Sequence, residues 1–210
     1  MSKSYFISFE GGEGTGKSTQ IKLLKNYLTQ NSFNVFVTRE PGGSDGAESI
    51  RKLLVEGNVN RWDAETESLL MYAARRDNYV RFIKPNLDRG KIVICDRFSD
   101  STRVYQGYVG NVPKEFLKNL HKITLGKIEP DITFLLDLDV QLGLSRATKR
   151  SGFENRFEQK GIHFHELVRK SYLKLAKEFH NRVIIIDASG SIKEVHDKIL
   201  NEMKSIFKLK

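Results

Sequence analysis

Five short apolar runs along the chain predict the strands of one β-sheet. They are rich in β-branched and aromatic residues and cover the segments 5–10, 34–38, 92–95, 132–138 and 182–187. Several lack alternating polar positions, as in the Val-Ile-Ile-Ile run that begins at Val183. A strand that is apolar on both faces is typical of a parallel sheet covered by helices on both sides.

Stretches with helical spacing lie between these strands. The first begins at Lys17, the second at Glu65, and the third spans 164–179. A fourth begins near Ser191, where Ser-Ile-Lys-Glu is a capping box. Their apolar sides would contain Ile21, Leu24, Leu28, Leu69, Tyr72, Ala73, Leu167, Val168, Tyr172, Leu175 and Ala176. Alternating strands and helices predict an α/β fold, a five-stranded parallel sheet with helices on both faces.

A glycine-rich segment connects the first predicted strand to the first predicted helix. Residues 11–18 read Gly-Gly-Glu-Gly-Thr-Gly-Lys-Ser and fit the pattern of a phosphate-binding loop, or P-loop. The glycines let backbone N–H groups converge on phosphate oxygens, Lys17 reaches the β- and γ-phosphates, and the Ser18 hydroxyl ligates Mg²⁺. The sequence therefore predicts a nucleoside triphosphate site formed by Gly11, Gly12, Glu13, Gly14, Thr15, Gly16, Lys17 and Ser18.

Charged residues follow two further predicted strands. Asp96 and Arg97 come after the third strand, and Arg39 follows the second. Ligands of open α/β sheets bind at the carboxyl ends of the strands, so these side chains are expected beside the P-loop. An arginine can hold a phosphate with two hydrogen bonds, and Asp96 can position Arg97 or the water shell of a metal. On the residues alone, a solvated surface pair and a solvated loop stay open as alternatives.

A charged segment near the C-terminal third predicts a mobile lid over residues 145–161. Seven basic and three acidic residues lie between positions 145 and 170, a balance of +4 in 26 residues. Arginines that close over a triphosphate would stabilise the charge that develops on the transferred phosphoryl group. Arg146, Arg150 and Arg156 are the candidates for this role. A solvated helix face accounts better for Lys160, Arg169 and Lys170 than for these three arginines.

Length and composition limit the class of protein. The 210 residues suit a single domain, 1–210, and the lone Cys95 excludes a disulfide framework or a cysteine-built zinc site. We expect a cytoplasmic protein without membrane association, because no apolar run approaches the roughly 18 residues of a membrane span. The net charge of +9 implies an anionic partner. Nearly half of this excess lies between positions 145 and 170, in and directly after the lid, which favours nucleotide phosphates over nucleic acid.

The motifs together resemble the thymidylate kinase family, and in particular its bacterial members. They are Phe-Glu-Gly-Gly-Glu-Gly-Thr-Gly-Lys-Ser-Thr (9–19), Thr-Arg-Glu-Pro-Gly-Gly (38–43), Tyr-Ala-Ala-Arg (72–75), Asp-Arg-Phe (96–98), Ser-Thr (101–102), Tyr-Gln-Gly (105–107) and Asn-Arg-Phe-Glu (155–158). The resemblance implies a P-loop nucleoside monophosphate kinase that transfers the γ-phosphoryl group of ATP to dTMP, with Mg²⁺, to form dTDP for dTTP synthesis. It also implies a homodimer, formed through the helices after Glu65 and Pro113.

Site roles follow from the resemblance position by position. Lys17, Arg97 and the lid residues Arg146, Arg150 and Arg156 would be catalytic, Ser18 and Asp96 would serve the metal, and Thr19 would extend the ATP-binding loop. The substrate-binding residues would be Glu13, Arg39, Glu40, Arg51, Met71, Arg75, Arg97, Ser101, Thr102, Tyr105 and Gln106. Among these, Glu13 would accept a hydrogen bond from the 3′-hydroxyl, Arg39 and Arg97 would hold the acceptor phosphate, and Arg75 would contact thymine O4.

Two positions depart from the family pattern. Met71 occupies the place of a phenylalanine that usually stacks on thymine, and a thioether packs differently on a ring face. Arg103 occupies the place of a small or aliphatic residue, where it would either contact substrate or point to solvent. Both departures concern selectivity for the base.

Two other functions remain open on the residues. A different nucleoside monophosphate kinase or a deoxynucleoside kinase would share the P-loop, and a neutral 5′-hydroxyl acceptor would require Glu10 or Glu13 as a base. A nucleic-acid-binding P-loop ATPase would fit the positive charge, but the sequence has no interleaved basic and aromatic stripe.

Overall fold

Five parallel strands form the sheet of this protein. The structure, a computed structural model, describes residues 4–147, 157 and 160–207. The strands are β1 (Tyr5–Glu10), β2 (Val35–Arg39), β3 (Ile92–Asp96), β4 (Ile132–Asp137) and β5 (Val183–Asp187), in the spatial order β2-β3-β1-β4-β5. All four neighbouring pairs are parallel. The predicted sheet is confirmed, and each predicted run agrees with a strand to within one residue at either end.

Helices connect the strands and cover the sheet. They are α1 (Lys17–Gln30), α2 (Asp45–Val55), α3 (Ala64–Asn78), α4 (Lys84–Asp88), α5 (Ser99–Thr102), α6 (Lys114–Leu125), α7 (Val140–Ala147), α8 (Ile162–Glu178) and α9 (Ile192–Phe207). A π-helical segment, Tyr79–Ile83, joins α3 to α4, and a second, Arg103–Val109, continues α5. The four helices predicted from spacing are α1, α3, α8 and α9. The capping box is present at α9, where the Ser191 N–H donates to Glu194 (2.7 Å) and the Glu194 N–H donates to Ser191 Oγ (3.3 Å).

The sheet is buried on both faces, which explains its continuous apolar runs. One face packs Ile7 and Ile94 against Leu24 of α1 and Ile199 of α9. The opposite face of the same strands packs against α3, α6 and α8; its buried residues include Phe6, Val93, Tyr72, Leu117, Leu135 and Val168. Since side chains alternate between the faces of a strand, both sets of positions must be apolar.

The inner side of α3 is polar, contrary to the pattern predicted for it. Leu69 is 51% exposed and Ala73 is also exposed. The buried side of the helix presents Glu67, Ser68, Arg75 and Asn78 together with Tyr72. Helical spacing grouped Leu69 and Ala73 with Tyr72, but of these three only Tyr72 is buried, because the buried side of α3 is built largely from polar residues. Leu167 on α8 is likewise exposed.

The predicted lid begins within a helix. Helix α7 extends to Ala147, so residues 145–147 are helical. Residues 148–156, 158 and 159 lie outside the described part of the chain, and with them Arg150 and Arg156. Within the described residues, no helix has the length and apolar character that a membrane crossing requires.

Candidate active site

The P-loop lies between β1 and α1 and packs tightly against α7. Gly14 and Gly16 adopt positive φ angles of 67° and 92°, a conformation that favours glycine. A Cβ atom at Gly14 would collide with the backbone carbonyl of Gly143 in α7, and a Cβ at Gly143 would lie 2.5 Å from the Glu13 carbonyl oxygen. The backbones of the loop and of α7 are therefore in direct contact. Sequence reasoning did not find Gly143, since nothing in its local pattern distinguishes it.

Lys17 is buried beneath the loop. Its Nζ donates hydrogen bonds to the carbonyl oxygens of Gly11 (3.1 Å) and Gly12 (2.8 Å). Burial and the nearby charge of Arg97 lower the pKa of Lys17 to about 8. The lysine therefore loses its charge only about one pH unit above neutral. Its two acceptors are uncharged carbonyl oxygens, which a charged ligand can replace.

The two residues predicted for a metal meet beside the loop. The Ser18 hydroxyl donates a hydrogen bond to Asp96 Oδ2 at 2.9 Å. Hydroxyl and carboxylate oxygens are the ligand types that Mg²⁺ prefers. No group of three or more His, Cys, Asp and Glu side chains that could enclose a metal occurs in the described residues. This donor set fits Mg²⁺, which usually takes one or two protein ligands and completes its shell with phosphate oxygens and water.

Arg97 is held in place by three polar groups. Its φ of 69° is in the left-handed region, which turns the chain sharply at the end of β3. Its guanidinium donates to Glu13 Oε1 (2.8 Å), Ser101 Oγ (3.2 Å) and the Tyr172 hydroxyl (3.1 Å). Burial raises the pKa of Glu13, but the charges of Arg97 and Lys17 outweigh it and the net pKa is lowered. Glu13 is therefore an anionic partner that fixes Arg97 next to the P-loop.

The predicted cations meet at one cavity in front of the loop. This phosphate cavity, of about 230 Å³, is lined by Glu13, Gly14, Thr15, Gly16, Lys17, Ser18, Arg39, Glu40, Arg51, Asp96 and Arg97. Arg39 is half exposed and donates to both carboxylate oxygens of Glu48 (3.1 and 3.2 Å), while Arg51 donates to the Pro41 carbonyl (2.7 Å). Sequence reasoning missed Glu48. Arg146 lies in the last turn of α7, away from this lining.

A second cavity of about 240 Å³, here called the adjoining cavity, opens directly beside the first. Its lining contains every predicted substrate residue except Arg39: Glu13, Glu40, Arg51, Met71, Arg75, Arg97, Ser101, Thr102, Tyr105 and Gln106, together with Pro41, Val55, Phe98 and Phe157. Phe157, from the predicted lid segment, packs edge-to-face on Tyr105 with ring centroids 5.8 Å apart. The structure thus assembles side chains from six separate parts of the chain around one space.

Arg75 provides a buried donor to this cavity. Its Nε donates to Glu40 Oε2 at 2.6 Å, and its Nη2 donates to the Phe98 carbonyl (3.2 Å) and Thr102 Oγ1 (3.1 Å). Its Nη1 has no hydrogen-bond partner among the described residues. Burial raises the pKa of Glu40, and Arg75 partly offsets this rise. Glu40 therefore orients Arg75, and one N–H pair of the guanidinium remains for a ligand.

Gln106 provides the matching acceptor. Its Nε2 donates to Glu67 Oε2 at 3.0 Å, which assigns the orientation of the amide. Its Oε1 is buried and accepts no hydrogen bond from the described residues. A buried polar atom without a partner costs about 1–3 kcal/mol. Such an atom in a cavity wall is therefore well placed to pair with a polar ligand.

Glu10 organises the turn that carries these residues. One carboxylate oxygen accepts from the N–H groups of Phe98 (2.7 Å) and Ser101 (3.3 Å), and the other accepts from Ser101 Oγ (2.6 Å) and the Tyr172 hydroxyl (2.8 Å). Burial raises the pKa of Glu10. With both oxygens engaged, Glu10 positions the backbone rather than acting as a base. Sequence reasoning missed this role of Tyr172, whose hydroxyl is the only feature that distinguishes it on an otherwise apolar side of its predicted helix.

Arg103 takes neither of the two positions expected for it. Asp100, which is fully buried, accepts from Arg182 through both of its oxygens (2.6 and 2.8 Å) and from Arg103 (2.7 Å). Arg103 also pairs with Glu129. Burial raises the pKa of Asp100, but the hydrogen bond from Arg182 and the charge of Arg103 outweigh it, so the net pKa is lowered. Arg103 is therefore the partner of a buried carboxylate, outside the lining of the adjoining cavity.

A P-loop with its lysine beneath it, a cluster of cations and a cavity lined by buried polar side chains at the carboxyl ends of parallel strands together define a P-loop kinase that phosphorylates a small acceptor. The family model for thymidylate kinase matches residues 9–199. The chain belongs to the thymidylate kinase family.

Individual relatives agree over almost the whole chain. The thymidylate kinase of Caulobacter vibrioides is 52% identical over 195 residues, which is 93% of each chain. That of Ruegeria pomeroyi is 48% identical over 190 residues, 90% of each chain. The crystal structure of thymidylate kinase from Ehrlichia chaffeensis is similar with a TM-score of 0.77 at 35% identity, covering 95% of this chain and 98% of that chain.

Proposed function

We propose that the chain transfers the γ-phosphoryl group of ATP to dTMP where the phosphate cavity meets the adjoining cavity. The reaction yields dTDP, a step in dTTP synthesis. The observation that carries this proposal is the set of residues shared by both linings, which includes Glu13, Arg51 and Arg97. A monophosphate at this junction lies next to the terminal phosphate of a triphosphate on the P-loop. Such proximity is the main requirement for phosphoryl transfer.

On the donor side, the P-loop backbone and the N-terminus of α1 hold the β- and γ-phosphates. Lys17 exchanges its two neutral carbonyl acceptors for phosphate oxygens, which are stronger partners because they are charged. ATP binding also extends to Thr19. The lid residues Arg146, Arg150 and Arg156 complete the neutralisation of the transferred group in this proposal.

On the acceptor side, Arg97 holds the monophosphate together with Arg39. A phosphate monoester is already ionised at neutral pH, so the reaction needs no strong general base. Glu10, the alternative base for a neutral hydroxyl acceptor, has both oxygens occupied by hydrogen bonds. Catalysis therefore consists of positioning and charge neutralisation.

The adjoining cavity suits thymine and deoxyribose. Thymine presents an acceptor at O4 and a donor at N3, which match the Arg75 Nη1 donor and the Gln106 Oε1 acceptor. Thr102 lies on the same polar edge, and Met71 packs on the ring face. Cytosine presents the opposite pattern, with a donor at N4 and an acceptor at N3, and would leave both protein atoms mismatched.

The sugar end of the cavity has its own contacts. Glu13 accepts a hydrogen bond from the 3′-hydroxyl in this proposal, while the Tyr105 hydroxyl donates to Glu13 at 3.2 Å. Tyr105 thereby lies near C2′, where its ring leaves little room for a ribose hydroxyl. The proposed substrate is consequently a deoxyribonucleotide.

We assign Mg²⁺ to Ser18 and Asp96. When bound there, the ion neutralises charge on the β- and γ-phosphates. The Ser18 hydroxyl would turn an oxygen lone pair to the ion, and Asp96 would hold the ion's water shell. The close approach of these two oxygens, 2.9 Å, supports the assignment.

We further propose that residues 1–210 form one cytoplasmic domain that acts as a homodimer. Leu69 and Ala73 on α3, Val80 just beyond it and Ile123 on α6 are exposed apolar residues, and Ile123 is 82% exposed. The two helices are neighbours, since Arg76 of α3 donates to the Thr124 carbonyl of α6 (2.8 Å), and we take these residues as one apolar patch. A patch of this kind suits a second copy of the chain. Sedimentation equilibrium tests it, since Leu69→Glu should convert dimers to monomers; an unchanged mass would refute this interface.

A panel of acceptors tests the proposed reaction. Purified protein is incubated with ATP and Mg²⁺ and with thymidine, dTMP, dUMP, dCMP or dGMP, and products are separated by ion-exchange chromatography. We expect dTDP from dTMP and little product from dCMP or dGMP. Turnover of thymidine instead would indicate a deoxynucleoside kinase. ATP hydrolysis that DNA stimulates, without a phosphorylated nucleotide product, would indicate a nucleic-acid-dependent ATPase.

A further inference from the structure

A third cavity lies outside the active site. It opens between the π-helical segment Arg103–Val109, helix α6 and the C-terminal end of α8, and is here called the α6 cavity. Its volume of about 550 Å³ exceeds that of either active-site cavity. It shares no lining residue with the phosphate cavity or the adjoining cavity. The proposed reaction uses none of its side chains.

The walls of the α6 cavity are predominantly apolar. Two of its aromatic rings also contact cations, since Lys174 lies over Tyr108 and the guanidinium groups of Arg103 and Arg182 lie over Phe179. Val112 and Leu117 are buried, and Tyr108 and Phe179 lie beside them. Gly107 lets Leu117 pack closely against the backbone, since a Cβ at Gly107 would lie 3.0 Å from Leu117 Cδ1. Sites for small molecules typically have volumes of about 300–1,000 Å³ and predominantly apolar walls. The space therefore suits a small organic molecule with a flat body.

The rim of the cavity is basic. Arg103, Lys114, Lys118, Lys122 and Lys127 line it, against the two carboxylates of Glu129 and Glu178, a balance of 5 − 2 = +3. Both carboxylates are already paired, Glu129 with Arg103 and Glu178 with Lys114.

Three of the lysines remain for a ligand. The side chains of Lys122 and Lys127 form no ion pair or hydrogen bond with any residue that the structure describes, although the Lys122 carbonyl accepts from the Gly126 N–H. Among the described residues, the Lys118 side chain pairs only with Glu115, at 3.7 Å, and both side chains of that pair are largely exposed. The rim consequently carries positive charge that the described part of the chain does not neutralise.

The proposed dimer leaves this cavity open. Successive residues of an α-helix are about 100° apart, so Ile123 lies about 180° around α6 from Lys114 and about 140° from Lys118. The apolar patch that contains Ile123 and the flank that lines the α6 cavity therefore face different directions. A second copy bound to the patch would not fill the cavity.

We propose that the α6 cavity binds a small organic anion. Its flat apolar body lies between Tyr108, Leu117 and Phe179. Its anionic group lies among Lys118, Lys122 and Lys127. The cavity volume limits the ligand to a small molecule. Both parts of the ligand are required, since the walls are predominantly apolar and the unpaired positive charge lies at the rim.

The dye 1-anilinonaphthalene-8-sulfonate, a flat apolar anion, tests the site. The full chain is first saturated with dTMP, so that the dye cannot report on the adjoining cavity, and dye fluorescence is then titrated. We expect saturable binding that the double variant Lys122→Glu/Lys127→Glu weakens about tenfold or more. The matched control Lys22→Glu/Lys25→Glu changes the same net charge on exposed positions of α1 and should bind within about twofold of the unaltered protein.

Competition separates the two parts of the ligand. 1-Naphthyl phosphate should displace the dye, whereas 1-naphthol, which lacks the charge, and inorganic phosphate, which lacks the body, should not. Equal dye affinity in both double variants would overturn the proposal. So would displacement of the dye by raising the dTMP concentration, or displacement by 1-naphthol at the concentration where 1-naphthyl phosphate acts.

Discussion

The phosphate cavity and the adjoining cavity contain similar ion pairs in very different surroundings. Arg75 and Glu40 of the adjoining cavity are 2% and 3% exposed and lie 2.6 Å apart. At the phosphate cavity, Arg39 and its partner Glu48 are 51% and 38% exposed and lie 3.1 Å apart. A buried pair cannot lose one partner without leaving an unpaired charge, whereas an exposed pair exchanges partners with little cost. The first is a fixed frame and the second a replaceable contact.

The same difference applies to the atoms that each cavity offers a ligand. The fixed frame leaves the Arg75 Nη1 and the Gln106 Oε1 unpaired in defined positions, which suits recognition of a base. The phosphate cavity instead offers cations such as Lys17, whose present acceptors are neutral carbonyls. Selectivity for the base is therefore assigned to the adjoining cavity, whose ion pair is fixed, and charge neutralisation to the phosphate cavity, whose cations can exchange partners.

The largest effect should come from breaking the buried pair. Glu40→Gln leaves the Arg75 charge buried without its counter-ion and should lower the free energy of unfolding by about 3–5 kcal/mol. The matched change Glu48→Gln at the exposed pair should cost about 0–1 kcal/mol. Urea denaturation followed by circular dichroism measures both values. Equal losses in the two variants would remove the distinction between the cavities.

Removing the P-loop lysine should affect the phosphate cavity alone. Lys17→Ala should lower kcat for phosphoryl transfer about 10²–10³-fold, as loss of one stabilising donor to a developing charge does. The Kd for dTMP, measured by isothermal titration calorimetry, should change little, because Lys17 does not line the adjoining cavity. Loss of dTMP binding with normal ATP turnover would contradict the roles assigned here.

The pH dependence should also separate the cavities. The pKa of Lys17 is lowered to about 8, so the free enzyme loses this positive charge as the pH rises through that value. Because the charged form binds the triphosphate, kcat/KM for ATP should fall above pH 8, to about one-thirtieth of its low-pH value by pH 9.5. The pKa of Arg97 is raised because the surrounding Tyr105, Glu13 and Tyr172 outweigh the effect of its burial. The Kd for dTMP should accordingly stay constant from pH 7.5 to 9.5, as measured by calorimetry, and a parallel weakening of both substrates would argue against this separation.

The smallest expected effect concerns the face of the base. Met71→Phe restores an aromatic surface in the adjoining cavity and should raise kcat/KM for dTMP about 2–10-fold. The KM for ATP should not change, which serves as the internal control. If the acceptor panel gives the same preference for dTMP in both proteins, Met71 does not pack on the base.

The sequence predicted the phosphate cavity better than the adjoining cavity, for a physical reason. The P-loop, Asp96 and Arg97 adjoin strand ends, and parallel topology alone brings strand ends together. Arg75 instead lies in the last turn of α3, away from any strand end, and its link to Glu40 depends on how that helix is rotated about its axis. Hydrophobic spacing suggested the wrong rotation, and only the family resemblance named Arg75.

Other features leave no local pattern in the sequence. The segment Arg103–Val109 is π-helical, but a five-residue hydrogen-bond repeat does not alter apolar spacing enough to be recognised. The charges of Asp100 and Arg182 are far apart along the chain, so their buried pairing follows from tertiary packing alone. The role of Arg103 as a partner of Asp100 likewise follows from tertiary packing and not from its local sequence.

The contact between Gly14 and Gly143 has a consequence for inheritance. A Cβ at Gly14 would overlap the Gly143 carbonyl, and a Cβ at Gly143 would overlap the Glu13 carbonyl that precedes Gly14. As a result, neither position admits even alanine while α7 stays in place. The two positions therefore share one steric constraint, although more than half of the chain separates them. Descendants of this sequence should keep both glycines, or replace them only together with a displacement of α7.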